Sequence, residues 1–174
     1  MLATSTQPRI EVRATWPCVY IPARASLSEW NKAIEKIPQL FAWIELNGVT
    51  PRGPLFFRYR TIGDTETPFD LEIGIAVTEP VDGSGEVSGG EIPGGTYVTA
   101  IHEGHPDQMD QTWETIANWI EQQDLAPARR TDGGREVLEA RFEFFLTNPD
   151  EQPDPNQWFT ELAWLVEKKQ GASQ

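Results

Sequence analysis

Apolar residues recur at helical spacing in two stretches of the chain. Intervals of three and four residues predict one helix over 26–47 and a second over about 107–125. Pro38 is expected to kink or interrupt the first helix, because it has no backbone N–H to donate. Gly48 is typical of a residue that ends one. The chain is therefore expected to contain two long helical segments, the first of them kinked or interrupted.

Alternating apolar and polar residues predict six β-strands around these helices. The stretches are VYIPAR (19–24), LFFRYR (55–60), DLEIGIAV (70–77), YVTAIHEG (97–104), ARFEFFL (140–146) and FTELAWLV (159–166). Each half of the chain thus has the order β-α-β-β. The two halves, at about 10–79 and 96–167, are joined by a connector over 80–95 that is rich in Gly, Ser, Pro and acidic residues.

The two halves resemble each other in sequence as well as in order. A shift of 76 positions places apolar residues of the first helix on apolar residues of the second. The matched pairs are Ile37 and Trp113, Leu40 and Ile116, Trp43 and Trp119, Ile44 and Ile120, and Val49 and Leu125. This indicates an internal duplication. One β-α-β-β unit can cover only one sheet face with one helix, so two units sharing a sheet are the economical solution.

The predicted fold is therefore α+β and forms a single domain over residues 1–174. Two pseudo-symmetric modules are expected to share a mainly antiparallel sheet, with both helices on one face and a ligand groove on the other. Phe142, Phe144 and Leu146 share one face of their strand and are expected to pack on the helices. Glu143 would then point away from the helices, into the groove. A solvated strand face is the simpler alternative for this acid.

Two further acids are expected on the groove side of the sheet. The duplication aligns Glu161 with Glu72, and each acid is followed two residues later by Ala or Gly, which leaves space beside it. The acids that we consider as catalytic are Glu143 and Glu161. Further candidates to line the groove are Phe56, Tyr59, Glu72, Trp113, Phe145, Trp158 and Trp164. For the tryptophans, packing in the core remains the alternative.

Composition narrows the range of partners. The net charge of −13 and the pI near 4.5 repel phosphate backbones, so no direct binding of nucleic acid is expected. No run of about 18 apolar residues is present to span a membrane. The N-terminal stretch lacks the basic and apolar segments of a signal peptide, which favours a cytoplasmic location. His102 and His105 are three residues apart and next to Gly104 and Pro106, a poor zinc motif, so neither a metal nor a cofactor is expected.

Several short motifs, taken in order, resemble those of the GyrI-like proteins, also called the AraC-type effector-binding domain family, which are built from two SHS2 modules. The resemblance covers nearly the full chain, residues 10–167, and the motifs occur in the order typical of the family. They are GPLFFRY (53–59), DLEIGIAV (70–77), PGGTYV (93–98), HEG (102–104), RFEFFL (141–146) with Asn148-Pro149, and TELAWLV (160–166).

The resemblance implies a small-molecule-binding domain. Members bind small cationic or aromatic molecules between the two modules, and a glutamate that matches Glu143 contacts the ligand. One branch hydrolyses cyclopropane-bearing genotoxins, and one stand-alone member inhibits DNA gyrase. Our leading hypothesis is capture of an aromatic, electrophilic or cationic xenobiotic, followed by hydrolysis that confers self-protection or resistance. The alternatives are binding or sequestration without catalysis and, less favoured, a protein partner such as gyrase, whose DNA substrate the acidic surface would imitate.

Overall fold

The computed structural model describes residues 4–169, and the predicted strands all form within it. The strands are β1 (Thr4–Ser5), β2 (Arg9–Arg13), β3 (Trp16–Ala25), β4 (Pro51–Tyr59), β5 (Phe69–Val77), β6 (Ser88–Ile92), β7 (Gly95–Glu103), β8 (Leu125–Pro127), β9 (Arg129–Asp132), β10 (Arg135–Leu138), β11 (Arg141–Phe145) and β12 (Phe159–Lys168). The α-helices are α1 (Asn31–Ile34), α2 (Lys36–Leu46) and α3 (Met109–Gln122). Short 3-10 helices cover Leu27–Glu29, Pro106–Gln108 and Pro155–Gln157.

The strands form one large antiparallel sheet in the order β1-β7-β12-β11-β4-β5-β3-β6. In addition, β2 pairs with β7 and β8 pairs with β12, while β9 and β10 form a separate hairpin. The first module contributes β3, β4 and β5, and the second contributes β7, β11 and β12. The modules meet where β4 pairs with β11, with Glu143 opposite Phe57 and Phe144 opposite Phe56. The predicted α+β fold with two related modules is confirmed.

The first helix is broken, as Pro38 predicts. The break falls at Glu35, between α1 and α2. Proline at position 38 cannot donate to the carbonyl of Ile34 four residues earlier, and its ring crowds that carbonyl. The run of helical backbone hydrogen bonds therefore stops at the end of α1 and restarts in α2. Pro38 lies in the first turn of α2, where a missing N–H is tolerated.

Both helices pack on the same face of the sheet, called here the helix face. Leu40 of α2 and Ile116 of α3 are completely buried against the first and second modules, respectively. Ile44 and Ile120, one turn further on, are also buried. These two pairs are the positions that the 76-residue shift matched, so each module builds its core with the same side of its helix. No helix within residues 4–169 is both long and apolar enough to cross a bilayer.

The opposite face of the sheet is covered by the chain's own residues, which sequence alternation did not predict. Phe142 and Phe144 belong to a buried cluster on this face with Phe56, Tyr97 and Cys18, so the expectation that they pack on the helices is wrong. Leu146, expected beside them, lies beyond the end of β11 and is exposed. Gly74 allows the Phe56 ring to lie flat on the sheet, because a Cβ there would come within 2.5 Å of the ring.

Two segments outside the repeated motifs provide the cover. The connector expected to be only a turn contains β6, which pairs with β3 along the sheet edge. The segment 125–140 contributes Ala128 and Ala140 to the cluster, and the Ala128 amide donates to the carbonyl of Leu165 on β12. The face that was expected to be a groove is therefore partly closed by these additions.

The matched helix positions predict a large loss of stability when they are truncated. Leu40→Ala and Ile116→Ala should each lower the free energy of unfolding by about 2–5 kcal/mol, through lost burial and the cavity left behind. Urea denaturation followed by circular dichroism would measure it. Leu46→Ala, at an exposed position of the same helix, is the matched control and should change the value by less than about 0.5 kcal/mol. Equal losses at positions 40 and 46 would contradict the packing described.

Candidate functional site

A buried carboxylate lies at the junction of the two modules. Glu143 of β11 is only 7% exposed, and both its oxygens accept hydrogen bonds. The Tyr59 hydroxyl of β4 donates to Oε1 and the Trp113 indole N–H of α3 donates to Oε2, each at 2.8 Å. Donors from both modules thus converge on one acid. Because α3 supplies one of them, Glu143 points toward the helix face, not away from it as expected.

Burial sets the protonation chemistry of this acid. Removal from water raises the pKa of Glu143, although the Trp113 hydrogen bond, the nearby Arg141 charge and the Tyr59 hydrogen bond all act to lower it. Burial and the adjacent carboxylate raise the pKa of Tyr59 well above its ordinary value. Tyr59 therefore keeps its proton and can donate a hydrogen bond. Glu143 keeps its proton to a higher pH than a surface glutamate does.

Arg141 places a positive charge among aromatic rings beside the acid. It precedes Glu143 by two residues, so it projects from the same face of β11. Its guanidinium carbon lies 3.9 Å from the centre of the Trp113 ring, 5.0 Å from Trp164 and 5.2 Å from Tyr59. We call these three rings the aromatic cage. Burial lowers the pKa of Arg141, and within residues 4–169 its Nε has no hydrogen-bond partner.

Aromatic residues of the first module cover the cage from the other side. Trp30, in the turn before α1, stacks on Tyr59 with ring centres 6.4 Å apart and an interplanar angle of 13°. The Trp30 ring also meets Phe57 and Phe69 edge-on. Phe145 extends this layer along β11, with its ring centre 4.9 Å from that of Phe57. Aromatic rings of both modules therefore border the acid, and little of it is exposed.

The expected pairing of Glu143 with Glu161 in one groove is wrong. The antiparallel register places Glu143 opposite Leu162, which belongs to the core under α3, and Glu161 opposite Phe144 of the other face. Cross-strand partners share a face, so the two acids lie on opposite faces of the sheet. Glu161 is partly exposed and forms an ion pair of 3.0 Å with Arg13. One acid, not two, occupies the aromatic site.

The other candidates divide between this site and the rest of the molecule. Tyr59, Trp113, Trp164 and Phe145 surround or adjoin Glu143, as described above. Phe56 lies in the cluster on the opposite face, and Glu72 lies there too, 3.6 Å from Arg58. Trp158 follows the last 3-10 helix and donates its indole N–H to the carbonyl of Gln152, at 2.6 Å. These three residues are therefore not brought to Glu143.

Sequence reasoning missed the residue that changes the site most. Arg141 was visible as a cation two positions before the acid, and the period of a strand places it on the same face. Trp30 is not among the residues that the sequence predicts for the groove, since nothing in its helical spacing shows that it stacks on Tyr59. Among residues 4–169 no cluster of three or more His, Cys, Asp or Glu side chains is placed to hold a metal ion.

Comparison with known proteins agrees with this architecture. The family model of the GyrI-like small molecule binding domain matches residues 6–167. The crystal structure of the EcmrR C-terminal domain superposes with a TM-score of 0.76 at 22% identity, covering 97% of this chain and 99% of that one. In a complex of EcmrR with DNA the TM-score is also 0.76, at 20% identity, and the match covers 93% of this chain but only 57% of that chain.

More distant structures share the fold. A hydrolase from Listeria innocua has a TM-score of 0.63 at 13% identity, with 92% of each chain covered. SAV2435, solved with tetraphenylphosphonium bound, has a TM-score of 0.52 at 14% identity, with 93% of this chain and 94% of that chain covered. Identities this low show the fold alone. No curated protein matches the chain, and the expected absence of direct nucleic-acid contact remains a prediction.

The buried acid predicts a characteristic pH dependence of stability. Since the pKa of Glu143 is raised above its ordinary value of 4.5, the folded state holds this proton more tightly than the unfolded state. The acid's contribution to stability is full below pH 4.5 and is lost as the pH rises through the raised pKa. Glu143→Gln removes this titration. The stability of the variant relative to the unmodified protein should therefore increase from pH 4.5 toward neutrality, by about 1.4 kcal/mol for each unit of raised pKa.

Denaturant unfolding across that pH range would measure the difference. Tyr59, Arg141 and His102 also act electrostatically on this acid and are unchanged in the variant. Glu121→Gln, at an exposed position of α3, is the control and should show a constant difference. A Glu143→Gln difference that stays flat or falls with rising pH would contradict the inferred direction of the shift.

Proposed function

We propose that this chain, which belongs to the GyrI-like small molecule binding domain family, binds a small molecule carrying a positive charge on or beside an aromatic group. The binding site is the aromatic cage next to Glu143. The observation that supports this most directly is that the cage already surrounds a cation, the guanidinium of Arg141. A ligand cation would take the place of that guanidinium.

The chemistry of the cage favours cations that are weakly hydrated. The faces of Trp and Tyr rings attract positive charge, and a desolvated contact of this kind contributes up to about 2 kcal/mol. Glu143 supplies the compensating negative charge once the ligand arrives. A large lipophilic cation has little hydration to lose and much apolar surface to bury, so it gains from both features. Tetraphenylphosphonium, which SAV2435 binds, is a suitable probe of this class.

Arg141 makes binding an exchange of one cation for another. While the guanidinium stays in the cage, its charge acts on Glu143 and it occupies the positions against the Trp113, Trp164 and Tyr59 rings that a ligand cation would need. A ligand must move this side chain, and Trp30 must also shift from its stack on Tyr59 to open the cage. The free energy of these movements is subtracted from the gross interaction, which lowers the observed affinity.

This exchange predicts opposite effects for two substitutions. Glu143→Gln removes the compensating charge and should weaken tetraphenylphosphonium binding roughly tenfold or more, since hydrogen-bonded buried charges contribute on the order of 1.5–3 kcal/mol. Arg141→Met removes the competing cation but keeps an unbranched side chain in the cage, and it should strengthen binding. Quenching of tryptophan fluorescence, checked by isothermal titration calorimetry, would measure both affinities.

The exposed position 121 again provides the control, and Glu121→Gln should leave the affinity unchanged. Weaker binding by the Arg141→Met protein would show that the arginine supports the ligand instead of competing with it. Equal affinities of the Glu143→Gln and unmodified proteins would show that the Glu143 charge does not contribute to ligand binding.

A second candidate function is hydrolysis of an electrophilic small molecule at the same acid. It is favoured by one observation, the raised pKa of a carboxyl group that two neutral donors hold in place. A protonated Glu143 can donate its proton to the carbon that leaves as a strained ring opens, while water forms a new C–O bond. The electron pair of the broken C–C bond takes up that proton, and the attacking water returns one to Glu143. The net change is addition of one water.

Mass spectrometry of cyclopropane-bearing compounds incubated with the protein would test this chemistry. Products that gain one water should appear with the unmodified protein and be lost with Glu143→Gln. Glu161→Gln should keep the activity, because position 161 lies on the other face of the sheet. Loss of activity in both variants would show that both acids contribute to the reaction. If the compounds bind but are recovered unchanged, the protein binds them without hydrolysing them. Turnover of this kind would provide the resistance to genotoxins that the family resemblance implies.

A further inference from the structure

A cleft on the sheet face opposite Glu143 is lined by arginines that have too few hydrogen-bond acceptors around them. It has a volume of about 420 Å³ and lies between β4, the connector and the segment 125–140. Arg58, Arg60 and Arg130 line it together with Tyr20 and three glutamates, Glu72, Glu91 and Glu139. Arg58 and Arg60 are each only 8% exposed. Neither belongs to the aromatic cage beside Glu143.

A single backbone carbonyl serves both buried guanidiniums. The carbonyl of Glu139 accepts from Nε of Arg58 at 3.2 Å, from Nη2 of the same residue, and from Nη1 of Arg60 at 3.1 Å. A carbonyl oxygen has two lone pairs, so three donors from two cations exceed its capacity. Arg58 has one further weak contact of 3.5 Å with the carbonyl of Glu91 and one carboxylate oxygen of Glu72 at 3.6 Å.

Arg60 is the least satisfied of these groups. Its Nη2 is buried and has no hydrogen-bond partner among the described residues. Among the described residues no carboxylate oxygen lies within 4.0 Å of the Arg60 or Arg130 guanidinium, although the charges of Glu72 and Glu139 act on Arg60 from further away. Burial and the charge of Arg58 both lower the pKa of Arg60, which reflects two like charges held side by side. A buried cation with an unused donor is costly, so a movement of the Arg60 guanidinium toward an acceptor in the cleft would be favourable.

We propose that this cleft is a second binding site, which takes the oxyanion of a small molecule, a carboxylate or a phosphate, between Arg60 and Arg130. An oxyanion offers several acceptors in the plane that a guanidinium requires, and it would relieve the repulsion between the arginines. Tyr20 also lines the cleft and provides an aromatic ring for an attached apolar group to contact. Arg60 and Glu72 also line a neighbouring cleft of about 370 Å³, which leaves space for the body of such a molecule.

Long-range electrostatics set the expected strength of this site. The chain carries a net charge of −13, and three glutamates stand in the cleft itself, so anions are not attracted from a distance. Recognition depends on hydrogen bonds at short range. Affinities in the millimolar to micromolar range, about those of weak specific complexes, are therefore expected for simple probes.

Titration of the full chain with inorganic phosphate and with benzoate would test the site, at constant ionic strength maintained with chloride. The side-chain N–H signals of Arg60 in ¹⁵N NMR spectra should shift with saturation for at least one probe and remain still with chloride. Stronger binding of benzoate would identify a carboxylate on an aromatic body as the ligand, and stronger binding of phosphate would identify a phosphate. Absence of saturable shifts with either probe would overturn the proposal.

Substitutions locate the binding in the cleft. Arg60→Gln should weaken binding of the preferred probe roughly tenfold or more, because charge-assisted hydrogen bonds are lost. Arg130→Gln tests the same site without depending on a buried residue, since this arginine is exposed, and should weaken binding severalfold even if Arg60→Gln fails to fold. Arg129→Gln is the matched control, because Arg129 pairs with Glu136 and does not line the cleft. Equal binding by the Arg130→Gln and Arg129→Gln proteins would overturn the assignment.

Discussion

The carboxylate of Glu143 holds the two halves of the sheet and one helix in a single arrangement. A buried carboxylate loses its hydration at a cost of several kcal/mol, and only well-placed donors offset it. Tyr59 supplies one donor from the first module and Trp113 supplies the other from the helix of the second. The positions of β4, β11 and α3 are therefore coupled through three side chains. The same coupling keeps the acid where a ligand between the modules would meet it.

Arg141 determines the charge of this site before any ligand arrives. The guanidinium and the carboxyl group project from the same strand two residues apart, so the positive charge of Arg141 lies beside Glu143 and acts to lower its pKa. The Trp113, Trp164 and Tyr59 rings surround the guanidinium, while its Nε has no hydrogen-bond partner among the described residues. The surroundings of the arginine thus stabilise it incompletely. Under the proposed function, a cation that fits the cage better would gain free energy by replacing it.

The two faces of the same central strands carry opposite chemistry. On the helix face, β4 and β11 present Tyr59 and Glu143 among aromatic rings. On the other face the same strands present Arg58 and Phe142, with the guanidinium carbon 5.5 Å from the ring centre. The segments that cover this second face, β6 and residues 125–140, lie outside the repeated motifs. They bury phenylalanines that would otherwise face water, and together with the strands they form the cleft lined by arginines.

The sequence by itself determined the elements, the duplication and the composition of each strand face. The 76-residue shift matched two pairs of helix residues that are buried, Leu40 with Ile116 and Ile44 with Ile120. Strand alternation placed Arg141 and Glu143 together and Phe142 opposite them. Alternation does not show which layer covers a face, because both faces of a strand obey the same period. Nor does it determine register between strands. A register change of one residue exchanges the faces of every side chain in a strand. Only the tertiary structure, which aligned Glu143 with Leu162, decided that Glu161 lies on the other side of the sheet.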